Sequence, residues 1–384
     1  MMGTISALRY HTAFIRNHPA LVEWWLRNRI RAVSLRYERR HPHGMSRFPR
    51  GITIKPTLAC NLRCKMCGFV TSGHVFDSPK DSLPLEAWEC LIDDIAPYQP
   101  YVTLTGGEPL LYPEISELIS HIKKRGMILT VTTNGSMLSR RAPEFIENAP
   151  DALVVSLDGP SHVHNEVRGA AKSFQMATEG IRRVQALRQE RRQKNPLLVI
   201  NTSVTAYNYR HIEEMIDIAH ELGVDALNFQ HQWALTHKMA EAHNRRYGDV
   251  HPISIEEIGD IEPPPVDPAE VTEILRRIRK RASIANGSTY ITFHPDIKGD
   301  DIHRWYTDPH LWVWRRPAAC AWLNTDILPN GDVEPCPGMV CGNITKERFT
   351  SIWNNDTFRA HRRRLAEAKD YPICIRCCAF FRRD

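Results

Sequence analysis

From residue 51 onwards, short runs of apolar and β-branched residues alternate with longer stretches in which apolar positions recur every three or four residues. The short runs are typical of strands, and the longer spacing is typical of amphipathic helices. The predicted strands are Gly51–Thr57, Tyr101–Thr105, Ile128–Thr133, Ala152–Leu157, Leu197–Thr205 and Ala226–His231, with helices between them such as Pro113–Lys124 and Phe174–Glu190. Six such units predict an α/β fold of the partial (β/α)6 TIM-barrel type, with its chemistry at the carboxyl ends of the strands.

The alternation breaks after Gln232 into a polar segment that contains several histidines and ends at the proline triplet 263–265. This composition predicts an insertion or connection over residues 232–268. A further helix and strand are predicted at Ala269–Ala285 and Thr289–His294.

From Cys320 the chain becomes rich in closely spaced Cys, Gly and Pro, which predicts a small metal-binding domain. The sequence contains no run of eighteen apolar residues, so no membrane span is expected. The predicted organisation is a helical arm over 1–50, a barrel over 51–295 and a C-terminal domain over 296–384.

The positive charge is concentrated in the arm. Residues 1–50 contain ten Arg and two Glu, and the formal net charge of the whole chain is +6. The remainder is slightly acidic, which excludes a generally basic nucleic-acid-binding body. Within Leu21–Tyr37, arginines surround one apolar helical face, predicted to pack on the barrel. Contact with a membrane surface or an acidic partner is the alternative. The face comprises Leu26, Ile30, Val33 and Tyr37.

The ten cysteines fall mostly into short spacings of the kind that bind metals. No apolar signal segment begins the sequence, so we expect a cytoplasmic protein with reduced thiols. Any membrane association would be peripheral.

The first cysteine group is Cys60, Cys64 and Cys67, directly after the first predicted strand. Three thiolates on one loop can each bind one iron of a cubane, and without a nearby fourth cysteine one iron keeps an open position for a small molecule. A structural zinc site normally has four protein ligands, so zinc explains this group less well.

This spacing resembles that of the radical S-adenosylmethionine (radical SAM) family, whose three cysteines follow the first strand of a partial barrel. The resemblance implies a [4Fe–4S] cluster and S-adenosylmethionine, which would chelate the open iron and be cleaved to a 5′-deoxyadenosyl radical. Met66 stands where the family usually has an aromatic residue, and its thioether can pack against adenine.

Motifs after the next three strands support the same resemblance. Gly106, Gly107 and Glu108 resemble the family's GGE motif, which implies that they receive the amino group of S-adenosylmethionine. Ser156 and Arg168 are expected near its ribose and carboxylate, because a guanidinium can donate two hydrogen bonds to a carboxylate. The predicted cofactor-binding residues are Met66, Gly106, Gly107, Glu108, Thr133, Asn134, Ser156 and Arg168.

Four cysteines near the C-terminus form two separated pairs, which suits either tetrahedral zinc or a fully ligated iron–sulfur cluster. The surrounding sequence resembles the SPASM and twitch extensions of the radical SAM family, which implies one auxiliary [4Fe–4S] cluster. Its predicted ligands are Cys320, Cys336, Cys374 and Cys377.

Three cysteines are surplus to these two groups. Cys341 is a possible replacement for one auxiliary ligand, and Cys378 is interpreted as a buried neighbour. Cys90 lies in a predicted helix, where we expect it to pack as a small hydrophobic residue.

The substrate is expected on or after the fifth and sixth strands. Asp326, between the first two auxiliary cysteines, is a candidate catalytic base for a substrate radical, with a turn role as the alternative. A histidine in such a place is more often structural than catalytic. The pocket candidates are Asn201, Asn228, Gln230, His231 and Trp233.

The favoured function is hydrogen abstraction from a small molecule, leading to dehydrogenation, epimerisation or bond formation. The arm looks too short for a cobalamin domain or for the leader-binding domain of many peptide-modifying relatives. Maturation of a ribosomally made peptide, modification of a membrane lipid or lipid-linked sugar, and a non-enzymatic structural-metal protein are the alternatives. An electron donor such as flavodoxin or ferredoxin is expected as a partner, and nucleic acid is not.

Overall fold

The computed structural model of the chain describes residues 35, 37–40, 43–73, 82–255, 259–284, 289–314 and 317–377. Nearly all of the predicted arm helix, including Leu26, Ile30 and Val33, lies outside these residues, as does Cys378. Tyr37, predicted on the face that packs on the barrel, is 73% exposed, whereas Leu35 is buried in the core. The prediction for Tyr37 is therefore wrong, and the arm's contacts before Leu35 stay a prediction.

The described strands form one sheet in the order β7-β6-β5-β4-β3-β2-β1-β8-β9. Neighbouring strands from β7 through β8 pair in parallel, and β8 pairs antiparallel with β9. The strands are β1 (Gly51–Ile54), β2 (Tyr101–Leu104), β3 (Leu129–Thr133), β4 (Ala152–Ser156), β5 (Leu197–Val204), β6 (Ala226–His231), β7 (Tyr290–His294), β8 (Asn324–Ile327) and β9 (Val333–Glu334). The predicted α/β fold with a parallel, partial-barrel sheet is confirmed.

Helices connect the parallel strands, as the 3.6-residue spacing predicts. They are α1 (Gly68–Thr71), α2 (Leu85–Ile95), α3 (Ile115–Lys124), α4 (Leu138–Asn148), α5 (Ser161–Arg168), α6 (Ser173–Glu190), α7 (Met215–Glu221), α8 (His237–Tyr247), α9 (Pro268–Ile284), α10 (Asp300–Thr307), α11 (Cys320–Leu323), α12 (Phe349–Ile352) and α13 (Asp356–Ala368). None of the helices in the described ranges is long and apolar enough to cross a membrane.

The two faces of the sheet differ in polarity because side chains alternate along each strand. Ile52 and Ile54 of β1 are at most 1% exposed and belong to the apolar core between sheet and helices. On the inner face, Thr53 pairs in register with Thr103, and both are half-buried. The strands thus leave a polar inner surface at the centre of the partial barrel.

Within the connection predicted over 232–268, residues His237–Tyr247 form helix α8. The Thr236 hydroxyl caps α8 by accepting a hydrogen bond from the backbone N–H of Met239 at 3.2 Å. An antiparallel bridge between Leu235 and Ile261 closes the base of the segment.

The C-terminal part continues the sheet rather than standing apart from it. Strand β8 lies beyond the proposed boundary at 296, yet it pairs in parallel with β1, with Thr53 opposite Asp326. The backbone N–H of Lys55 also donates to the carbonyl of Ile327 at 2.9 Å. The cysteine loop after β1 is therefore flanked by β2 on one side and by the C-terminal segment on the other.

Candidate functional site

The first three cysteines line a common cavity of about 240 Å³ at the carboxyl ends of β2 to β4. Cys60 and Cys67 are half-buried, and Cys64 is buried. Most of the predicted cofactor-binding residues also line this cavity. The lining comprises Cys60, Leu62, Cys64, Met66, Cys67, Phe69, Val70, Thr105, Gly106, Gly107, Thr132, Thr133, Asn134, Ser156, Arg168 and Ser203.

Two nitrogen donors point at the cysteine sulfurs. Asn134 donates from Nδ2 to Cys60 Sγ at 3.8 Å, and Arg168 donates from Nη1 to Cys64 Sγ at 3.7 Å. Burial raises the pKa of the Cys64 thiol to about 11, while the Arg168 guanidinium opposes this rise. Three thiols on one cavity wall, with a cation and an amide directed at two of them, fit a thiolate-ligated iron–sulfur cluster.

Arg168 is anchored by a carboxylate that the sequence interpretation did not single out. Its Nε and Nη2 atoms both lie 2.6 Å from Oδ2 of Asp158, which is fully buried. The other Asp158 oxygen accepts the backbone N–H of Ser203 at 2.9 Å. The guanidinium fork that we expected to bind a ligand carboxylate is thus occupied by Asp158, and Nη1 is directed at Cys64.

The paired glycines let two backbone segments approach closely. A Cβ atom at Gly106, whose φ is +137°, would lie 2.3 Å from the carbonyl oxygen of Thr57, and one at Gly107 would lie 2.3 Å from that of Ala59. The Gly107 N–H donates to Thr57 O at 3.0 Å, and the Glu108 N–H donates to Ala59 O at 2.7 Å. These contacts hold the segment that leads from β1 into the cysteine loop.

The Glu108 carboxylate is fully buried and is not among the residues that line the cavity. Oε1 accepts hydrogen bonds from Leu110 N at 3.1 Å and Thr133 Oγ1 at 2.7 Å, and Oε2 accepts one from Asn134 N at 2.7 Å. Burial raises the pKa of Glu108 to about 7, and these three donors oppose the rise. Glu108 thus positions Thr133 and Asn134, and its contact with the amino group of S-adenosylmethionine stays a prediction.

Several cavity residues were missed by the sequence interpretation. Ser203 lies two residues after Asn201 on the inner face of β5, so alternation along that strand was a signal that could have found it. Phe69 and Val70 belong to α1, directly after Cys67, in a stretch whose four residues are too few to show a helical period.

The substrate candidates divide between the two faces of the sheet. Asn228 donates from Nδ2 to Asn201 Oδ1 at 2.6 Å and accepts from Thr292 Oγ1 at 2.8 Å. Gln230 shares this inner face, because it lies two residues after Asn228 and pairs in register with Ser203. The structure thus assembles a polar ladder across β5, β6 and β7.

His231 and Trp233 do not join that ladder. His231 is 2% exposed, alternates to the outer face and lies with Nδ1 2.5 Å from the Tyr306 hydroxyl. Burial, with a smaller effect from the Arg279 charge, lowers the pKa of His231 to about 3. Trp233 is half-buried against the apolar core. The strand alternation turns His231 away from the inner face, and the place of Trp233 in the pocket stays a prediction.

Asp326 lies on β8 in an ion pair, with Oδ2 2.8 Å from Nζ of Lys55. Lys55 Nζ is also 5.7 Å from the centre of the Phe69 ring, which lines the cysteine cavity. Glu334 faces Asp326 across the β8–β9 pair. Asp326 is therefore adjacent to the cavity through Lys55 and is not itself in the cavity wall.

The C-terminal cysteines come together from three elements: α11, the segment after β9, and the 3-10 turn Pro372–Cys374. A hydrogen bond with Cys320, followed by burial and by Cys374 and Cys377, holds the pKa of Cys336 well above its usual value. No three His, Cys, Asp or Glu side chains in the described ranges are arranged to hold a single metal ion.

Two of the three surplus cysteines, Cys341 and Cys90, lie within the described residues. Burial raises the pKa of the Cys341 thiol to about 12, with smaller effects from Arg362 and Glu334. Its role as a replacement ligand of the auxiliary cluster stays a prediction. Cys90 is exposed on α2, so the prediction that it packs as a small hydrophobic residue is wrong.

Comparison with known proteins matches both parts of the chain. The radical SAM superfamily profile matches residues 54–219, and the profile of the SPASM iron–sulfur cluster-binding domain matches residues 320–378. An AdoMet-dependent heme synthase of Methanosarcina barkeri is 30% identical over 188 residues, which are 47% of this chain and 50% of the relative. The chain spans about half the length of the first curated relatives that it matches.

Two further similarities each cover more than four fifths of this chain. The subtilosin biosynthesis protein AlbA of Bacillus subtilis is 24% identical over 81% of this chain and 61% of its own length. The crystal structure of Streptococcus suis SuiB bound to S-adenosylmethionine shares the fold, with a TM-score of 0.62 at 17% identity over 84% of this chain and 69% of SuiB. Residues 54–219 therefore form a radical SAM superfamily domain, and residues 320–378 form a SPASM domain.

Proposed function

We propose that this chain holds a [4Fe–4S] cluster on Cys60, Cys64 and Cys67 and cleaves S-adenosylmethionine reductively. Superfamily membership implies this cluster and S-adenosylmethionine, and the SPASM domain implies auxiliary iron–sulfur binding. The observation that carries the proposal is the cavity in which the three thiols meet the ends of β2, β3 and β4.

When bound, the cluster and S-adenosylmethionine supply a radical able to abstract hydrogen from an unreactive C–H bond. The protein contributes position and charge. Asn134 and Arg168 donate hydrogen bonds to two of the thiolates, while Gly106 and Gly107 fix the backbone that carries them. Thr133 and Ser156 line the cavity wall, where a ribose or an amino acid group of S-adenosylmethionine would bind.

The test is release of 5′-deoxyadenosine by the anaerobically reconstituted, chemically reduced protein. Cys67→Ser is expected to abolish release, because it removes one of three ligands of the cluster. Cys90→Ser is the matched control, since Cys90 is an exposed cysteine on α2, and it is expected to behave like the wild type. Equal release by both variants would overturn the proposal.

We propose one auxiliary [4Fe–4S] cluster on Cys320, Cys336, Cys374 and Cys377, supported by the mutual contacts of these thiols. In a full-length protein with Cys60, Cys64 and Cys67 replaced by alanine, about four irons and four sulfides per chain should remain, one cubane's content. One zinc and no sulfide would instead indicate a structural-metal domain.

The proposed substrate is a polar small molecule bound on the inner face of the sheet. Asn201, Asn228 and Gln230 offer both donors and acceptors there, which suits hydroxyl or amide groups. Separate aqueous, peptide and lipid fractions of a source-cell extract should be added to the 5′-deoxyadenosine assay. Stimulation confined to the aqueous small-molecule fraction is expected, and stimulation confined to the lipid fraction would contradict this substrate class.

A peptide substrate is the second candidate. The similarity to AlbA, a bacteriocin biosynthesis protein, spans 81% of this chain, whereas the similarity to the heme synthase spans 47%. Peptide amides would suit the same Asn and Gln side chains. Stimulation by the peptide fraction alone would favour this candidate.

Asp326 is proposed as the base that takes a proton from the substrate radical, since its ion pair with Lys55 places it beside the cysteine cavity. Asp326→Asn is expected to lower the amount of product formed per 5′-deoxyadenosine released. An unchanged ratio would assign Asp326 a structural role only. Flavodoxin or ferredoxin is proposed as the electron donor.

A further inference from the structure

Helix α13 carries a histidine to the auxiliary cysteines. Nε2 of His361 lies 3.6 Å from Sγ of Cys336, within hydrogen-bond distance for sulfur, and the ring is fully buried. The helix is fixed at its start, because the Asn355 side chain accepts the backbone N–H of Phe358 at 2.9 Å.

The imidazole ring is held in place by its neighbours on the polar connection between β6 and α9. His251 packs edge-on against His361 with ring centroids 5.4 Å apart and an interplanar angle of 87°. His251 in turn donates from Nε2 to the carbonyl of Pro337 at 3.0 Å, next to Cys336. The Tyr371 ring is 5.9 Å from His361. The contact between His361 and Cys336 is therefore built into the packing of two segments.

The next residue of α13 anchors the same helical turn beside a second auxiliary cysteine. Arg362 is fully buried and donates from Nε to the carbonyl of Ala321 at 2.9 Å, directly after Cys320. Its guanidinium also stacks 4.1 Å from the Trp353 ring. Because Arg362 fixes the turn of helix that carries it, the direction of the His361 side chain is fixed as well.

The chemistry of the pair sets which atom donates. A cysteine bound to iron is a thiolate, which can accept a hydrogen bond and cannot donate one. The proton must then reside on Nε2 for the contact to be favourable. The opposite nitrogen, Nδ1, is buried without a hydrogen-bond partner, so the other tautomer would bury an unpaired N–H group while directing a lone pair at the thiolate.

We propose that His361 is a positioning residue for the auxiliary cluster, donating an N–H···S hydrogen bond from Nε2 to the Cys336 thiolate and raising the reduction potential of that cluster. The proposal rests on the auxiliary cluster proposed above. Hydrogen bonds to cluster sulfurs withdraw electron density from the thiolate, which stabilises the reduced state and makes the potential less negative. An auxiliary cluster tuned in this way would be a better electron acceptor.

The test uses the full chain with Cys60, Cys64 and Cys67 replaced by alanine, so that only the auxiliary cluster contributes. Its potential is measured by a redox titration followed by electron paramagnetic resonance. His361→Leu should shift the potential to a more negative value, whereas His361→Gln, which keeps an N–H donor, should restore much of the difference. His243→Leu is the matched control, because His243 belongs to the same buried ring cluster but donates to the carbonyl of His251.

A second measurement detects the contact between His361 and the cluster directly. With ¹⁵N-labelled histidine, the reduced auxiliary cluster should show a weak nitrogen hyperfine coupling that His361→Leu removes and His243→Leu retains. An unchanged potential in His361→Leu, or the absence of that coupling in a protein with a full cluster, would overturn this inference while leaving the auxiliary cluster intact. Zinc without sulfide would overturn both proposals.

Discussion

At the residue scale, the Gly-Gly-Glu segment stabilises the architecture of the cysteine loop. Gly106 and Gly107 accommodate the carbonyl oxygens of Thr57 and Ala59, and Glu108 accepts three hydrogen bonds behind the cavity wall. The motif therefore links β1, β2 and β3 at the point where each strand delivers a residue to the cavity.

Glu108→Ala is expected to destabilise the protein even without its cofactors. Three buried donors lose their acceptor, which at roughly 1 kcal/mol each predicts a loss of about 3 kcal/mol in the free energy of unfolding. Denaturant unfolding of the apoprotein measures this loss. Glu117→Ala, at an exposed glutamate of α3, should cause little change. Unchanged stability together with weakened S-adenosylmethionine binding would instead show that Glu108 contacts the ligand directly.

Sequence spacing predicted which residue types gather at the site better than it predicted where each side chain points. Cys60, Cys64 and Cys67 lie on one short loop, so their proximity follows from chain connectivity alone. Glu108 and Arg168 follow the expected strands, but buried partners determine the directions of their side chains. Glu108 is bound by Thr133 and Asn134 at the end of the next strand, and Arg168 by Asp158 ten residues before it, and the motifs themselves do not reveal these pairings.

At the scale of elements, strand alternation decides which polar residues face the cavity side. On β6, Asn228 and Gln230 face inward, whereas His231 faces outward and meets Tyr306 of α10. The strand itself was predicted with its observed bounds, and the alternation could have separated His231 from its neighbours. His231 is the last residue of β6, and site residues are expected at the carboxyl ends of the strands, so it was included among the pocket candidates.

His231 should make the protein sensitive to acid. The lowered pKa of His231 means that the folded state holds the ring neutral. The contribution of His231 to stability is therefore full above the unfolded pKa of about 6.5, and it is lost as pH falls towards about 3. From about pH 7.5 to about pH 5.5 the wild-type apoprotein should lose about 1.4 kcal/mol of unfolding free energy through this one group. Denaturant unfolding at the two pH values measures the loss.

His231→Gln should remove that part of the pH dependence, because glutamine does not titrate. His220→Gln, at an exposed position of α7, is the control and should keep the wild-type dependence. If His231→Gln and the wild type lose equal stability on acidification, the buried neutral state of His231 is contradicted.

At the scale of the whole molecule, the SPASM segment completes the sheet beside the cysteine loop. Strand β8 was not predicted, because it has only four residues and includes Asn324 and Asp326, which are uncommon in strands. Its parallel pairing with β1 depends on tertiary contacts that a local pattern does not contain. The six barrel strands were predicted because each is a longer or more apolar run.

Hydrogen exchange tests this arrangement. Strand β1 lies between β2 and β8, so its amides at Gly51–Ile54 should exchange as slowly as those of β4 at Ala152–Ser156. Strand β7, at the edge of the described sheet, should exchange faster. Exchange of β1 at the rate of β7 would contradict the pairing of the SPASM segment with the barrel.

With three cysteine ligands, the proposed cluster would keep one iron open for S-adenosylmethionine. The most direct measurement is electron–nuclear double resonance on the reduced protein with S-adenosylmethionine carrying ¹⁷O in its carboxylate and ¹⁵N in its amino group. The account predicts hyperfine coupling from both labels in the wild type and in Cys90→Ser, and none in Cys64→Ala. Reduced clusters with full iron and sulfide content but no coupling to either label would contradict it.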